Sequence, residues 1–198
     1  MLRRFVYRWR ANLVSRRAHA KIAIDRRSTL FANYENIMKL NIRPATMTDA
    51  PMIADLLANI DDYPHWKTLG VAALEAAARE SLAWANSERL LFVAEIDNRV
   101  VGYAGVYWLH PMFSAREGYV SELFIRSDAS GHGAGTALLD AVKTEAIARG
   151  CHRLTLVNLK DRESYKRGFY ASRGWEEQSN TVRFSFDLDT VSTKHPPT

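Results

Sequence analysis

From Leu40 onward the apolar residues switch between two spacings, dividing the chain into alternating strands and helices. Val71–Ala85 carries Leu74, Ala78, Leu82 and Ala85 on one helical stripe, and Thr136–Arg149 places Leu138, Leu139, Val142 and Ala146 on another. Short apolar runs predict strands at Leu40–Arg43, Leu90–Ile96, Val100–Leu109, Gly118–Ile125, Arg153–Asn158 and Thr181–Leu188. Asp97-Asn98 marks a hairpin turn between two of these. Thr48 predicts an N-cap, with Asp49 and Pro51 in the first turn of a helix ending near Asn59. Asp61-Asp62-Tyr63-Pro64 breaks that helix, Gly150 stops the 136–149 helix, and a last helix is predicted over Arg162–Ser172.

The 198 residues suffice for one domain with a sizeable core, and 47% hydrophobic with 25% charged residues is a globular balance. The single cysteine, Cys151, excludes an internal disulfide and a cysteine-rich zinc site. It suits a reducing compartment, and a cytoplasmic location is expected. No apolar run approaches the roughly 20 residues that span a bilayer. The net charge of +5 is unevenly spread: residues 1–38 hold nine basic and two acidic side chains, and the remainder is slightly acidic. The chain therefore divides into a basic arm (1–38), a domain (39–190) and a loose tail (191–198). Three readings fit the arm: a stretch upstream of a true start at Met38, a basic segment touching nucleic acid, membrane or partner, or an organellar targeting peptide. The domain is expected to keep its stability and ligand affinity without it.

The most informative segment runs from Ser121 to Leu139. A strand ends, a turn containing Gly131, Gly133 and Gly135 follows, and an amphipathic helix begins. Glycines let backbone N–H groups converge on one concavity, and the new helix adds unsatisfied donors and its positive dipole end. Such a turn suits a pyrophosphate, although a flexible strand-to-helix connection would read the same way. The spacing G-x-G-x-G is not a dinucleotide fingerprint, and no lysine precedes Thr136 to make a Walker loop.

Ser130-Gly131-His132-Gly133-Ala134-Gly135, entered from Glu122-Leu123-Phe124-Ile125, resembles motif A of the GNAT superfamily of N-acetyltransferases. Ser130 departs from that motif's usual Arg or Gln, which weakens one phosphate-facing side chain; His132 partly substitutes for it or is a solvated loop residue. Glu163–Glu176 resembles motif B through Phe169-Tyr170 and Gly174-Trp175, while Glu163 and Lys166 depart from the usual Asn and Ala. The resemblance covers roughly 40–188. It implies an α/β (α+β) fold whose mixed, mostly antiparallel central sheet is splayed at the middle and flanked by helices, with acetyl-CoA as co-substrate in the split; separately, the absence of metal-motif spacing leads to the expectation of no metal.

The resemblance also implies roles. Tyr170 is the candidate acid toward the leaving sulfur, its alternative being a core tyrosine on an amphipathic helix. Glu122 is the candidate base acting through water, a substrate contact, or an ion-paired strand residue. A bulge frequent in this strand of the family leaves Glu122's direction open. The backbone of Leu123, Phe124 and Ile125 would pair with the pantetheine arm, and Ser130, Gly131, His132, Gly133, Ala134, Gly135, Thr136, Asn158 and Tyr165 complete the expected cofactor set. Asp62, Tyr63 and Trp66, with Tyr107 and His110, form an acidic-aromatic set suited to an amine acceptor, or scattered surface residues. His65 and His110 lack metal-motif spacing. The expected activity is acetyl transfer to a primary amine of a small molecule or a peptide N-terminus, with homodimerisation left open. The alternatives are a non-catalytic acyl-CoA-binding module of the same fold and a nucleic-acid-associated protein acting through the arm.

Overall fold

The structure is a computed structural model, and it describes residues 40–61 and 63–186. Five strands form one sheet in the order β1 (Asn41–Pro44), β2 (Arg89–Ile96), β3 (Arg99–Leu109), β4 (Glu117–Ile125) and β5 (Arg153–Leu156). Neighbours are antiparallel except β4 and β5, which run parallel. Asp97 and Asn98, both at positive φ, make the tight β2–β3 turn that their short polar side chains tolerate.

One face of the sheet is covered by α1 (Ala50–Ala58) and α3 (Val71–Ala83). Ile53, Leu56, Leu74, Ala78 and Leu82 pack there on Leu91, Val93 and Tyr103. The other face is covered by α4 (Ala134–Ala148), whose Leu138, Val142 and Ala146 meet Ala94, Ala104, Val106 and Val120. Each fully buried Leu or Val contributes about 1.5–3 kcal/mol. Both helical stripes are thus the ones the spacing predicts, except that Ala85 is exposed beyond the end of α3.

Several boundaries differ from those predicted. Thr46, not Thr48, opens the first helical segment: Asp49 accepts from the Thr46 backbone N–H at 2.7 Å and from its hydroxyl at 3.0 Å. The break after α1 contains a short helix, α2 (Pro64–Leu69), started by Pro64 at N1; Asp62 lies outside the described residues. The expected 162–172 helix is only α5 (Glu163–Lys166), because Gly168 at φ +64° turns the chain before Phe169. Residues 181–186 alternate Val182, Phe184 and Phe186 but form no strand, and all three are exposed. Period-two spacing defines a face; a ladder also needs a partner edge, and 181–186 has none among the described residues. Leu188 lies outside them.

Asp49 anchors the start of α1. It is buried, and the Arg43 guanidinium grips it in bidentate fashion at 2.7 and 2.8 Å, holding its pKa below the usual carboxylate range. A carboxylate with a lowered folded pKa stabilises at pH above its unfolded value and loses that contribution as pH falls through the folded one. Asp49→Asn should therefore cost about 1.5–3 kcal/mol in urea unfolding at pH 7, with the gap from wild type narrowing toward pH 3. A pH-independent gap would contradict this account.

Candidate functional site

The site forms where β4 leaves its regular path. Glu122 pairs with Gly105 but Val120 pairs with the next residue, Val106, so Ser121 is an extra residue in β4. Without the bulge, Val120 and Glu122 would share a face. With it, Val120 and Leu123 point toward α4, while Glu122 and Phe124 point toward α1 and α3. The pairing of β5 also stops here, at Val120–Leu156. The β5-facing edge of Leu123, Phe124 and Ile125 thus has no strand partner among the described residues, which is the predicted splay.

Glu122 lies at a cavity of about 220 Å³ between the sheet and the helices, lined also by Ile53, Leu57, Ser81 and Tyr103. Its Oε2 is buried without a hydrogen-bond partner and stands 3.8 Å from Nη2 of Arg89. Burial pushes its pKa above the usual glutamate range, opposed first by the Arg89 charge and then by the Tyr103 hydroxyl. Tyr103 itself is deeply buried, and its phenol is held well above its ordinary value. Gly105 makes room for the carboxylate: a Cβ there would sit 2.8 Å from Oε2.

On the other side of β4, Ser130, Gly131, His132 and Gly133 form an exposed turn into α4. Gly131 and Gly133 adopt positive φ, and Gly133 is the N-cap. The helix starts at Ala134, two residues before the predicted Thr136. His132 turns back, donating Nδ1–H to the Ala129 carbonyl at 3.3 Å. Gly135 serves packing: its missing Cβ would lie 3.1 Å from Cζ of Phe169. Arg173 stacks its guanidinium 4.0 Å over that ring and donates Nε–H to Thr136 Oγ1 at 2.8 Å. A cation is thereby held at the positive end of α4, where an anion would relieve it. Arg126, buried, pairs with Asp55 and Asp128 and ties the loop to α1.

Tyr170 is half-buried, edge-on to Phe169 and Trp175, and burial raises its pKa, so the phenol stays protonated at neutral pH. Tyr63 stacks on Trp66 at 4.2 Å, both rings meet Phe124 edge-on, and Tyr63 is within electrostatic reach of Tyr103 and Tyr170. The remaining predicted residues disperse. Tyr107 lines a second cavity of about 390 Å³ with Glu80, Trp84, Glu88 and Arg89. His110 pairs with Glu88 at 3.0 Å, Tyr165 donates to Glu177, and Asn158 accepts from Ser164. Among the described residues no group of three or more His, Cys, Asp or Glu could hold a metal, and no helix is long and apolar enough to cross a membrane.

Arg89, Tyr103 and Arg173 escaped the sequence reading. Arg173 had one available signal, its place just before the Gly174-Trp175 pair. Arg89 and Tyr103 reach Glu122 only through strand register.

The family model described as the acetyltransferase (GNAT) family matches residues 57–175, and the chain belongs to that family. An aminoglycoside 2'-N-acetyltransferase of Mycolicibacterium fortuitum is 42% identical over 60 residues, which span 30% of this chain and 28% of that protein. An aminoglycoside acetyltransferase from an uncultured soil metagenomic sample, solved with sisomicin, shares the fold at TM-score 0.61 and 21% identity. The alignment covers 75% of this chain and 96% of that one. The aminoglycoside N-acetyltransferase AAC(6')-Iy in complex with CoA is similar at TM-score 0.59 and 17% identity, covering 75% and 95%.

The Gly105–Glu122 approach is directly measurable. Gly105→Ala should destabilise by about 1–3 kcal/mol through overpacking. The penalty should shrink in a Glu122→Ala background, which removes Oε2. Equal penalties in both backgrounds would show that Gly105 does not serve Glu122.

Proposed function

We propose that this chain is an acetyl-CoA-dependent N-acetyltransferase acting on a primary amine of a small molecule or a peptide N-terminus, by direct attack in a ternary complex. The observation that carries the reading is the bulge at Ser121. It sets Glu122 against a cavity on one face while freeing the adjacent edge of Leu123–Ile125, which leads into the glycine turn. The donor set fits acetyl-CoA. Free backbone N–H groups of the turn and the first turn of α4 suit a pyrophosphate, with Arg173 supplying the positive side chain that Ser130 lacks. The open edge offers a strand-like partner to a pantetheine amide.

In the transfer, an N–C bond forms and the C–S bond breaks. Glu122 takes the proton the amine loses, directly or through water, and Tyr170 donates its phenolic proton to the departing sulfur. Tyr63 and Trp66, with Asp62, remain the proposed acceptor contacts, whereas Tyr107 and His110 lie toward the second cavity and are no longer assigned to the acceptor. The aminoglycoside relatives make polyamino compounds sensible first acceptors. A non-catalytic acyl-CoA-binding module is the second reading, and the acid–base pair argues against it.

The test is thiol release from acetyl-CoA across a panel of amines, followed by variants on one working acceptor. Tyr170→Phe should keep acetyl-CoA affinity and lose about 10²-fold or more in kcat. Glu122→Gln should lose turnover that high pH partly restores, because the amine then deprotonates in solution. Full activity in Tyr170→Phe would remove its role as acid. A raised KM with an unchanged pH profile in Glu122→Gln would make Glu122 a substrate anchor. Acetyl-CoA binding without turnover on any amine would favour the module.

A further inference from the structure

We infer that Arg89 is a positioning residue for Glu122: its guanidinium, fixed from α3, keeps the partly buried carboxylate ionised without forming a hydrogen bond to it. The inference rests on Glu122 being the proposed base. Arg89 opens β2, one strand removed from β4, and its side chain is only 10% exposed. Nη1 donates to the Ser81 carbonyl and Nη2 to Ser81 Oγ at 2.6 Å, so α3 fixes the guanidinium in place. Tyr107 lies under it, 5.2 Å from ring centre to Cζ.

A guanidinium stays charged at any working pH, so burying it requires a compensating anion. Glu122 is the carboxylate within ion-pair distance of Arg89 among the described residues. Glu80 and Glu88 line the larger cavity beside it without pairing to it. The 3.8 Å separation is the informative feature. At that distance the charges attract, yet Oε2 makes no hydrogen bond and keeps its lone pairs. A direct fork on Glu122 would have tied up the group a base needs.

Among the described residues, the rest of the cavity lining offers no substitute charge. α1 presents Ile53 and Leu57 to the cavity, and α3 presents Ala77, Ala78, Leu82 and the neutral Ser81. From β3, Tyr103 is held neutral by its raised pKa. Arg89 is thus the charged group facing Glu122, and without it burial acts on the carboxylate opposed only by a phenol. Ala77 and Ser81 line both cavities, so the Arg89 clamp stands at the wall between them.

The experiment is the pH profile of kcat/KM for wild type, Arg89→Gln and Arg89→Lys on one acceptor, with melting temperature and acetyl-CoA affinity as controls. Arg89→Gln should move the acidic limb up by about one pH unit or more, with activity recovering toward high pH. Arg89→Lys, which restores charge but not the fork, should bring the limb most of the way back. A merely structural residue would lower activity equally at every pH, and an unmoved limb in Arg89→Gln would overturn the inference. Should Arg89→Gln fail to fold, Arg89→Ala and Ser81→Ala, which remove the charge and loosen its clamp, carry the test through the Glu122 pKa read by carbon-13 NMR. A raised value supports the inference, and an unchanged value in both overturns it. A wild-type profile whose acidic limb survives Glu122→Gln would instead overturn the proposed base itself.

Discussion

One extra residue in β4 decides which face Glu122 takes and where the sheet opens. With Ser121 bulged out, the residues after it change faces while those before it keep theirs. Val120 stays in the core under α4, and Glu122 turns to the opposite face. Pairing to β5 ends at the same level, so the sheet opens beside Leu123–Ile125. A carboxylate on one side and, among the described residues, a backbone edge without a strand partner on the other therefore follow from a single irregularity. Gly105 permits it, since any Cβ opposite Glu122 would strike the carboxylate.

Cations organise the rest of the site, and each sits where its charge needs an answer. Arg89 is buried beside Glu122, Arg126 ties the loop after β4 to α1, and Arg173 lies across the first turn of α4. The Arg173 position works against the helix dipole unless an anion joins it, which fits a phosphate-binding turn. Aromatic packing completes the frame: Phe169 fills the space left open at Gly135, and the Tyr63–Trp66 stack rests on Phe124.

Much of this was legible in the sequence because it is local. The β2–β3 hairpin shows in Asp97-Asn98 between apolar runs, α3 and α4 show in their stripes, and the glycine turn stands between strand and helix. The features that were not legible depend on residues far apart in the chain. Strand parity could not give the direction of Glu122, because the bulge is visible only against β3. Arg89 lies 33 positions from Glu122 and meets it through register. A helix is predicted over 162–172, but the left-handed turn at Gly168 ends it early. The Val182, Phe184 and Phe186 alternation suggested a strand, yet alternation carries no information about a partner edge.

In the proposed function the open edge of β4 and the glycine turn receive one ligand together. Amide hydrogen exchange with and without acetyl-CoA tests this most directly. Slowed exchange is expected in residues 123–125 and 131–136, with little change along the β1–β2 pairing. Protection absent from both segments while acetyl-CoA binds elsewhere on the domain would contradict it.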